Sequence, residues 1–452
     1  MKSFSSVTII GSGASALAVA AYCCSKNIPC LISDTESAAV VKGRLEDAGL
    51  SDCPWEADGH SDAVFDADIA VISPGVWKNA PICKALQSHS VPIVSEMEFG
   101  AALSDSALIA VTGTAGKSTT VAFLENVLCC SFPKARACGN IGIPVTAVSQ
   151  DMDSQGVRIC EVSSFQMEWV TFFAPDISLI LNIFPNHLDR HGDFSEYAGL
   201  KMKMAALTKP SGMVILNGRQ KLLVDFGKEI SRKVIFFGKK IPGYDSVVAE
   251  DNRLWYRDSR GKKYGGVRLS AGILKGVHNR HNYMAAYAVA CIYGVSGKDF
   301  EQSMSEFSGL PHRMKSLGVY QGVEFINDSK STTVQSLEAA LVDFEDASVH
   351  LLCGGRDKGG DFNRISPLVA NKCRAVYLFG ESAEKIADAW HSSSHICRYA
   401  SLEDAFSAAQ KNAVPGENVL LSPACASFDM FQNYEERGRL FETLCREYCH
   451  ES

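Results

Sequence analysis

The sequence predicts an α/β protein of several domains built on parallel sheets, and three observations carry that expectation. Short apolar runs alternate with helical stretches along the chain, the pattern of strands joined by crossover helices. Two strand-to-helix junctions are glycine turns suited to facing a nucleotide, at 11–16 and at 113–119. At 452 residues the chain exceeds what one ordinary core organises, and length alone favours about three domains.

The first segment opens with the apolar run Val7 to Ile10 and the turn Gly11-Ser12-Gly13-Ala14-Ser15-Ala16. An Ala-rich helix follows, then Cys30-Leu31-Ile32-Ser33-Asp34. Strand, glycine turn, helix, strand and acidic end match the G-x-G-x-x-A form of the dinucleotide fingerprint, with Asp34 placed to meet a ribose. A tight turn that only packs a helix on a sheet has the same signature. Further on, Ile69 to Ile72 followed by Ser73-Pro74-Gly75 reads as a strand ending in a turn that offers backbone donors. Both turns fall at the carboxyl edge, where open parallel sheets bind ligands.

The second segment begins near Glu96 and carries the strongest chemical signal. After the run Leu108 to Val111 comes Thr112-Gly113-Thr114-Ala115-Gly116-Lys117-Ser118-Thr119. Such a turn points backbone N–H groups at phosphate oxygens, puts the Lys117 ammonium on them and offers a hydroxyl to Mg²⁺. This favours ATP or GTP binding. Gly-Lys-Ser strings also arise by chance, and the standard longer loop has Gly where this chain has Val111. Next, the run Val157 to Cys160 leads into Glu161, a candidate Mg²⁺ ligand at the sheet edge, or simply a partly solvated Glu at a strand end. After the strand Ile177 to Ile183, the polar cluster Asn186-His187-Leu188-Asp189-Arg190-His191 sits where strand ends carry sites.

Composition narrows the function classes. A hydrophobic fraction of 46% with 21% charged residues is that of a folded soluble protein and excludes disorder. A net charge of −7 supplies no basic field, so no nucleic-acid partner is expected. The 16 cysteines are scattered through apolar runs without a C-x-x-C pair and read as reduced thiols used in packing. Cys445, Cys449 and His450 near the tail read as incidental for want of a fourth ligand. Neither a signal peptide nor a membrane-spanning run is apparent, so the expected compartment is the cytoplasm.

Taken in order, GTAGKST, EVSSFQ, NHLDRH, GVHNRHN, GLPHR, NDSKSTT, GGRDKGGDF and SPACASFDMFQNYEERG resemble the motifs of the Mur ligase family. With the opening fingerprint, these blocks run from residue 11 to residue 438. The resemblance implies three domains: a Rossmann-like UDP-binding domain over 1–95, a P-loop ATPase-like domain over 96–310, and a Rossmann-like domain over 311–452 that takes the amino acid. It implies an ATP-dependent amide ligase of bacterial cell-wall synthesis acting as a monomer. The last block implies the reaction that joins D-glutamate to UDP-N-acetylmuramoyl-L-alanine. ATP would phosphorylate the substrate carboxylate and the amine would attack the acyl phosphate. A carboxylate is a poor electrophile until one oxygen becomes a leaving group, and transferring a phosphoryl group to it demands in-line positioning and cationic screening.

Carried over by motif, Gly113, Thr114, Ala115, Gly116, Lys117, Ser118 and Thr119 form the ATP loop, with Ser118 or Thr119 on a first Mg²⁺. Glu161 and His187 are implied ligands of a second. Lys201 falls where the family carries a lysine carbamylated by CO₂, although Lys203 competes and the residue alone reads as a solvated helix charge. Asn282 is placed by the adenine, and Arg313 and Asp328 are ATP contacts from the C-terminal domain. Lys330, Thr332, Lys358, Ser427 and Tyr434 match the D-glutamate site. Lysines and hydroxyls suit a dicarboxylate once it is desolvated. The UDP-sugar would lie along Ser12, Ala14, Ser15, Asp34, Thr35, Ser73, Pro74 and Gly75, with Asn140 reaching in.

Some positions depart from the family pattern. Ala115 stands where Asn is usual, Glu36 where a basic residue is familiar, and Thr333 and Tyr434 differ mildly from the expected Asn and Phe. Four other readings compete. Sister ligases share the central domain but not the Lys358 and SPACASFD blocks. Folylpolyglutamate synthase lacks a UDP-binding first domain, an NAD-dependent dehydrogenase leaves the P-loop unexplained, and a non-enzymatic nucleotide-binding module would not need both Lys117 and Glu161.

Overall fold

Runs such as Val7 to Ile10 and Ile69 to Ile72 are buried at every position, and apolar but for Thr8, because their strands are covered on both faces, as parallel strands under crossover helices must be. The structure is a computed structural model that describes residues 4–140, 142–185, 188–274, 276–342, 344–357, 359–391 and 395–451. His187 and Lys358 therefore lie outside the described residues. The chain forms two compact units, 1–307 and 308–452.

The first unit holds two sheets. The amino-terminal one is five-stranded and wholly parallel: β1 (Val7–Ile10), β2 (Cys30–Ser33), β3 (Trp55–Glu56), β4 (Ile69–Ile72) and β5 (Ile93–Ser95), in the order β3-β2-β1-β4-β5. The order reverses between β1 and β4, so the crevice for a ligand opens beyond their carboxyl ends. Apolar clusters fill both faces, one around Val7, Ile9, Ile32 and Val71, the other around Ile10, Ala70 and Ile72.

The second sheet is built from β6 (Ala107–Thr112), β7 (Ala135–Gly139), β8 (Val157–Glu161), β9 (Ile177–Ile180), β10 (Met213–Asn217), β11 (Lys233–Phe237), β12 (Asp245–Glu250), β13 (Arg253–Arg257) and β14 (Lys263–Arg268). Their order is β14-β13-β12-β11-β10-β9-β6-β8-β7, parallel except for the meander β12 to β14. The central β6 lies between β8 and β9, with Val111 opposite Glu161 and Thr112 opposite Ile180. That register sets the P-loop beside the end of β8. Buried Arg158 on β8 holds the segment entering β6 by donating to the carbonyls of Ala101, Ser104 and Ser106 at 3.1, 2.8 and 2.9 Å.

The second unit carries one sheet of β15 (Lys315–Tyr320), β16 (Val323–Asn327), β17 (Val349–Gly354), β18 (Cys373–Phe379), β19 (Ile396–Arg398) and β20 (Asn418–Leu421). The order is β15-β16-β20-β17-β18-β19, parallel apart from the β15–β16 hairpin. β20 sits between β16 and β17, so residues after Asn327, Leu421 and Gly354 gather on one edge. Among the described residues no helix is long and apolar enough to cross a membrane.

Candidate functional site

The glycine turn after β6 folds as its sequence requires. Gly116 has φ +84°, the left-handed region that glycine enters without strain, and it starts the helix Lys117–Cys129. A Cβ there would stand 2.6 Å from Asn282 Oδ1. Asn282 is therefore packed against the turn, from the helix Val277–Ile292, where it is buried and donates to Asn279 Oδ1 at 3.2 Å. Asn182, which sequence reasoning passed over, clamps the turn: its Oδ1 accepts from Ala115 N at 2.9 Å and its Nδ2 donates to Ala115 O at 3.1 Å. Thr114 Oγ1 pairs with Tyr197 OH at 3.0 Å and accepts from Phe184 N at 2.9 Å.

Lys117 Nζ donates to the carbonyls of Gly113 and Thr114 at 2.9 and 3.2 Å. Lys201 meets it there. The helix Phe194–Ala206 is started by Asp193, whose carboxylate accepts from Glu196 N at 2.8 Å. Its buried face is Tyr197, Ala198, Lys201, Met204 and Ala205, so the Tyr-x-x-x-Lys spacing puts both side chains on one stripe. Lys201 is 2% exposed, which overturns the reading of a solvated helix charge. Its Nζ donates to Gly113 O at 3.0 Å and Thr112 Oγ1 at 3.4 Å and lies 4.8 Å from the centre of the Tyr197 ring. Burial drives its pKa well below the lysine range, the Lys117 charge adds to that, and Glu161 opposes it. Lys203 is directed elsewhere, to Met167 O at 3.4 Å.

Glu161 ends β8 and is 1% exposed, not partly solvated. Its Oε1 accepts from Asn140 Nδ2 at 2.9 Å, while Oε2 is buried without a hydrogen-bond partner. A buried carboxylate oxygen left bare beside a phosphate-type loop, with the Ser118 and Thr119 hydroxyls starting the next helix, is a donor set that fits a hard divalent cation.

At the amino-terminal sheet, the Gly11 turn and Ser73 meet across the β1/β4 crevice. Ser73 N donates to Ile10 O at 3.0 Å, and a Cβ on Gly11 would strike Ser73 Oγ at 2.5 Å. Ser12 Oγ donates to Asp34 Oδ2 at 2.6 Å, which, against the cost of burial, keeps the Asp34 carboxyl below the usual range. Ala14, Ser15 and Thr35 flank this crevice, at the first turn of the helix Ala14–Ser25 and just after β2. A residue missed by sequence reasoning completes the group. Arg44, on the helix Ala38–Asp47, donates to Ser12 Oγ at 2.7 Å and lies 3.9 Å from Asp34 and 4.0 Å from Glu36. Glu36 brings no cation, but one arrives from the next helix.

Two further residues of the polar cluster are anchored in this unit, and Arg190 joins its two sheets. Arg190 pairs with half-buried Glu168 through Nε and Nη2 at 3.0 and 2.9 Å and donates to the carbonyls of Pro74 and Val76 at 3.3 and 3.4 Å. His191 Nε2 bonds Ser164 Oγ at 2.9 Å. Gly75 lies between the two carbonyls that Arg190 holds.

In the second unit, Asp328 follows β16 and is buried, accepting from Ser422 Oγ at 2.8 Å and Met314 N at 3.1 Å. Burial pushes its pKa to about 7, against the pull of those hydrogen bonds and of the Arg313 charge. Lys330 Nζ donates to Tyr434 OH at 2.7 Å. Arg437, fully buried and unremarked in the sequence, fastens this edge by donating to Ser329 Oγ, Ser329 O and Cys425 O at 3.0, 2.8 and 3.2 Å. Ser427 is buried on the same edge, and Thr332 lies just before the capped helix Val334–Leu341.

Residues 111–290 match the model of the Mur ligase middle domain and residues 312–425 that of the Mur ligase glutamate ligase domain. The UDP-N-acetylmuramoylalanine--D-glutamate ligase of Koribacter versatilis is 33% identical over 97% of each chain. The protein of the same name from Chlorobium limicola is 35% identical over 96% of each. Among solved structures, UDP-N-acetylmuramate-alanine ligase MurC from Thermotoga maritima covers the whole of both chains with a TM-score of 0.60 at 18% identity. MurF ligase from Thermotoga maritima, solved with ADP, has a TM-score of 0.60 at 16% identity over 92% of this chain and 95% of that one.

Proposed function

The chain belongs to the Mur ligase family, and from that premise we propose that it joins D-glutamate to UDP-N-acetylmuramoyl-L-alanine with ATP, releasing ADP and phosphate. The observation that carries the ATP half of this reading is the meeting of Lys117 and Lys201 at Gly113 O, with the bare Glu161 oxygen close by. The near full-length likeness to D-glutamate ligases supports the choice of amino acid.

Lys117 binds the ATP phosphates and screens charge as the terminal phosphoryl group passes to the substrate carboxylate. That transfer breaks the bond to the ADP oxygen and makes an acyl phosphate. The amine of D-glutamate then attacks the acyl carbon, phosphate leaves and the amine gives up a proton. Glu161, His187 and Ser118 or Thr119 are the residues to hold Mg²⁺, which when bound supplies screening of the phosphate charges. Lys201, whose burial favours the neutral amine, is suited to react with CO₂, its nitrogen bonding the carbon as it gives up a proton. Its carbamate would place an anion facing Lys117 at Gly113 O.

Asn282 stands by the adenine, and Arg313 and Asp328 contribute ATP contacts. Lys330, Thr332, Lys358, Ser427 and Tyr434 serve D-glutamate. Ser12, Ala14, Ser15, Asp34, Thr35, Ser73, Pro74 and Gly75 serve the UDP-sugar, with Asn140, and Arg44 provides the cation that Glu36 does not. The corresponding domains span 1–95, 96–310 and 311–452, and the enzyme works as a cytoplasmic monomer.

The test is phosphate release from ATP in the presence of UDP-N-acetylmuramoyl-L-alanine, with D-glutamate, L-glutamate, L-alanine or diaminopimelate as the acceptor. Turnover with D-glutamate alone is expected. Preference for another amino acid would move the chain to a sister activity, and no ATP-dependent turnover with any acceptor would overturn the reading.

A further inference from the structure

Sixteen cysteines spread through the sequence give no ligand spacing, yet the fold gathers some of them. Cys24 lies near the end of the helix Ala14–Ser25, Cys30 begins β2, and Cys53 precedes β3. The three Sγ atoms lie within 4.8 Å of one another, and Cys30 Sγ is 3.5 Å from Cys53 Sγ. Cys30 and Cys53 are largely buried while Cys24 is exposed, so the trio has two inner sulfurs and one at the rim. Cys23, fully buried, neighbours Cys30.

We propose that Cys24, Cys30 and Cys53 form a thiolate site for a soft divalent metal ion of the Zn²⁺ class, at the edge of the amino-terminal sheet opposite the nucleotide crevice. Zn–S bonds of about 2.3 Å in tetrahedral geometry set their sulfurs roughly 3.8 Å apart. The observed spacing brackets that value, so closure onto an ion needs only small rotations of short side chains. The exposed Cys24 gives the ion its route in. On binding, three S–H bonds break, three metal–sulfur bonds form and three protons pass to solvent, leaving one net negative charge. A water fills the fourth position.

Position separates this site from the ligase chemistry. β2 starts at Cys30 and reaches Asp34 only at its other end, about 10–13 Å away at strand rise. The ion would tie the end of one helix, the start of β2 and the loop into β3, adding to the backbone bonds that already join β2 to β3. Its expected effect is to stiffen the sheet that carries Asp34 without touching it. The proposal does not depend on which substrate the enzyme uses.

Cd²⁺ is the probe, because its bonds to thiolates absorb in the near ultraviolet. Full-length reduced, metal-free protein is expected to bind about one equivalent with a thiolate-to-metal band, releasing protons, and to gain thermal stability with rising free metal. Cys24→Ser, at the exposed rim, should fold normally and lose about tenfold or more in affinity. The double variant Cys130→Ser/Cys397→Ser, which removes other exposed thiols, should bind as the parent does. Three results would overturn the proposal: no tight binding by the reduced protein, affinity unchanged in Cys24→Ser, or binding lost in the double variant. A reduced protein that binds no Cd²⁺ but forms a Cys30–Cys53 disulfide on oxidation would likewise overturn it.

Discussion

Lys117 and Lys201 donate to the same carbonyl oxygen, that of Gly113, at 2.9 and 3.0 Å. Burial is the main cause of the lowered pKa of Lys201, and repulsion from the Lys117 charge on the same acceptor adds to it. An anion between them would turn the repulsion into attraction, which is what a phosphate or a carbamate offers.

Lys201→Ala should therefore be folded and inactive, and formate or acetate should restore part of its activity by occupying the place of the missing anion. Lys203→Ala should keep most of the parent activity, since its amine faces Met167 O. Steady-state phosphate release with and without the acids checks both. Full activity of Lys201→Ala without added acid would reduce Lys201 to a packing residue.

The same lysine has a pH signature. Its folded pKa lies below the ordinary 10.5, so the unfolded chain binds the extra proton in the interval between them. Stability should accordingly rise with pH across that interval, and Lys201→Met should flatten the rise. Urea unfolding at a series of pH values would show the difference, and equal slopes for parent and variant would refute the assignment.

Asp328 should act with a negative slope of its own. Its carboxyl titrates near 7 when folded against an ordinary 3.8, so between those values the unfolded chain sheds a proton that the folded one keeps. Its contribution is fully present below the lower value and declines as pH rises to the upper one, by a few kcal/mol at about 1.4 per pH unit. Asp328→Asn should remove that decline. Arg313→Ala should move the titration upward, because the Arg313 charge favours the carboxylate.

Gly116→Ala tests the packing of the loop. The new methyl would enter the left-handed region and meet Asn282 Oδ1 at 2.6 Å. A loss of about 1–3 kcal/mol in stability and a weaker affinity for ATP are expected. Adding Asn282→Ala should relieve part of the stability loss and none of the affinity loss. Thermal melts and ATP titrations of the two single variants and the double variant separate these effects.

Arg44→Ala should raise the KM for UDP-N-acetylmuramoyl-L-alanine by about 10- to 150-fold, the worth of one charged hydrogen bond. The KM values for ATP and D-glutamate should stay unchanged. Glu36→Arg in that background should recover much of the loss by restoring a cation where the family pattern has one. A KM for the nucleotide sugar that does not move would leave Arg44 as a surface residue holding Glu36 and Asp34.

The sequence by itself determined the α/β class, the strands at Val7–Ile10 and Ile69–Ile72, the loop at Gly113 to Thr119 and the family. Those signals are local: apolar runs, glycines at turns and short motifs keep their meaning without neighbours. The Tyr197–Lys201 spacing was legible too, because four residues return to the same face of a helix. Tertiary structure alone decided the rest. Whether Lys201 is solvated or buried depends on β6 and its loop, some 90 residues earlier, and Glu161 loses its water to Asn140 and the sheet. Arg44, Asn182 and Arg437 are polar residues of common type, and their parts depend on partners 32, 67 and 108 positions away. Cys24, Cys30 and Cys53 read as scattered because sequence counts separation along the chain, whereas a metal ion responds only to distance in space.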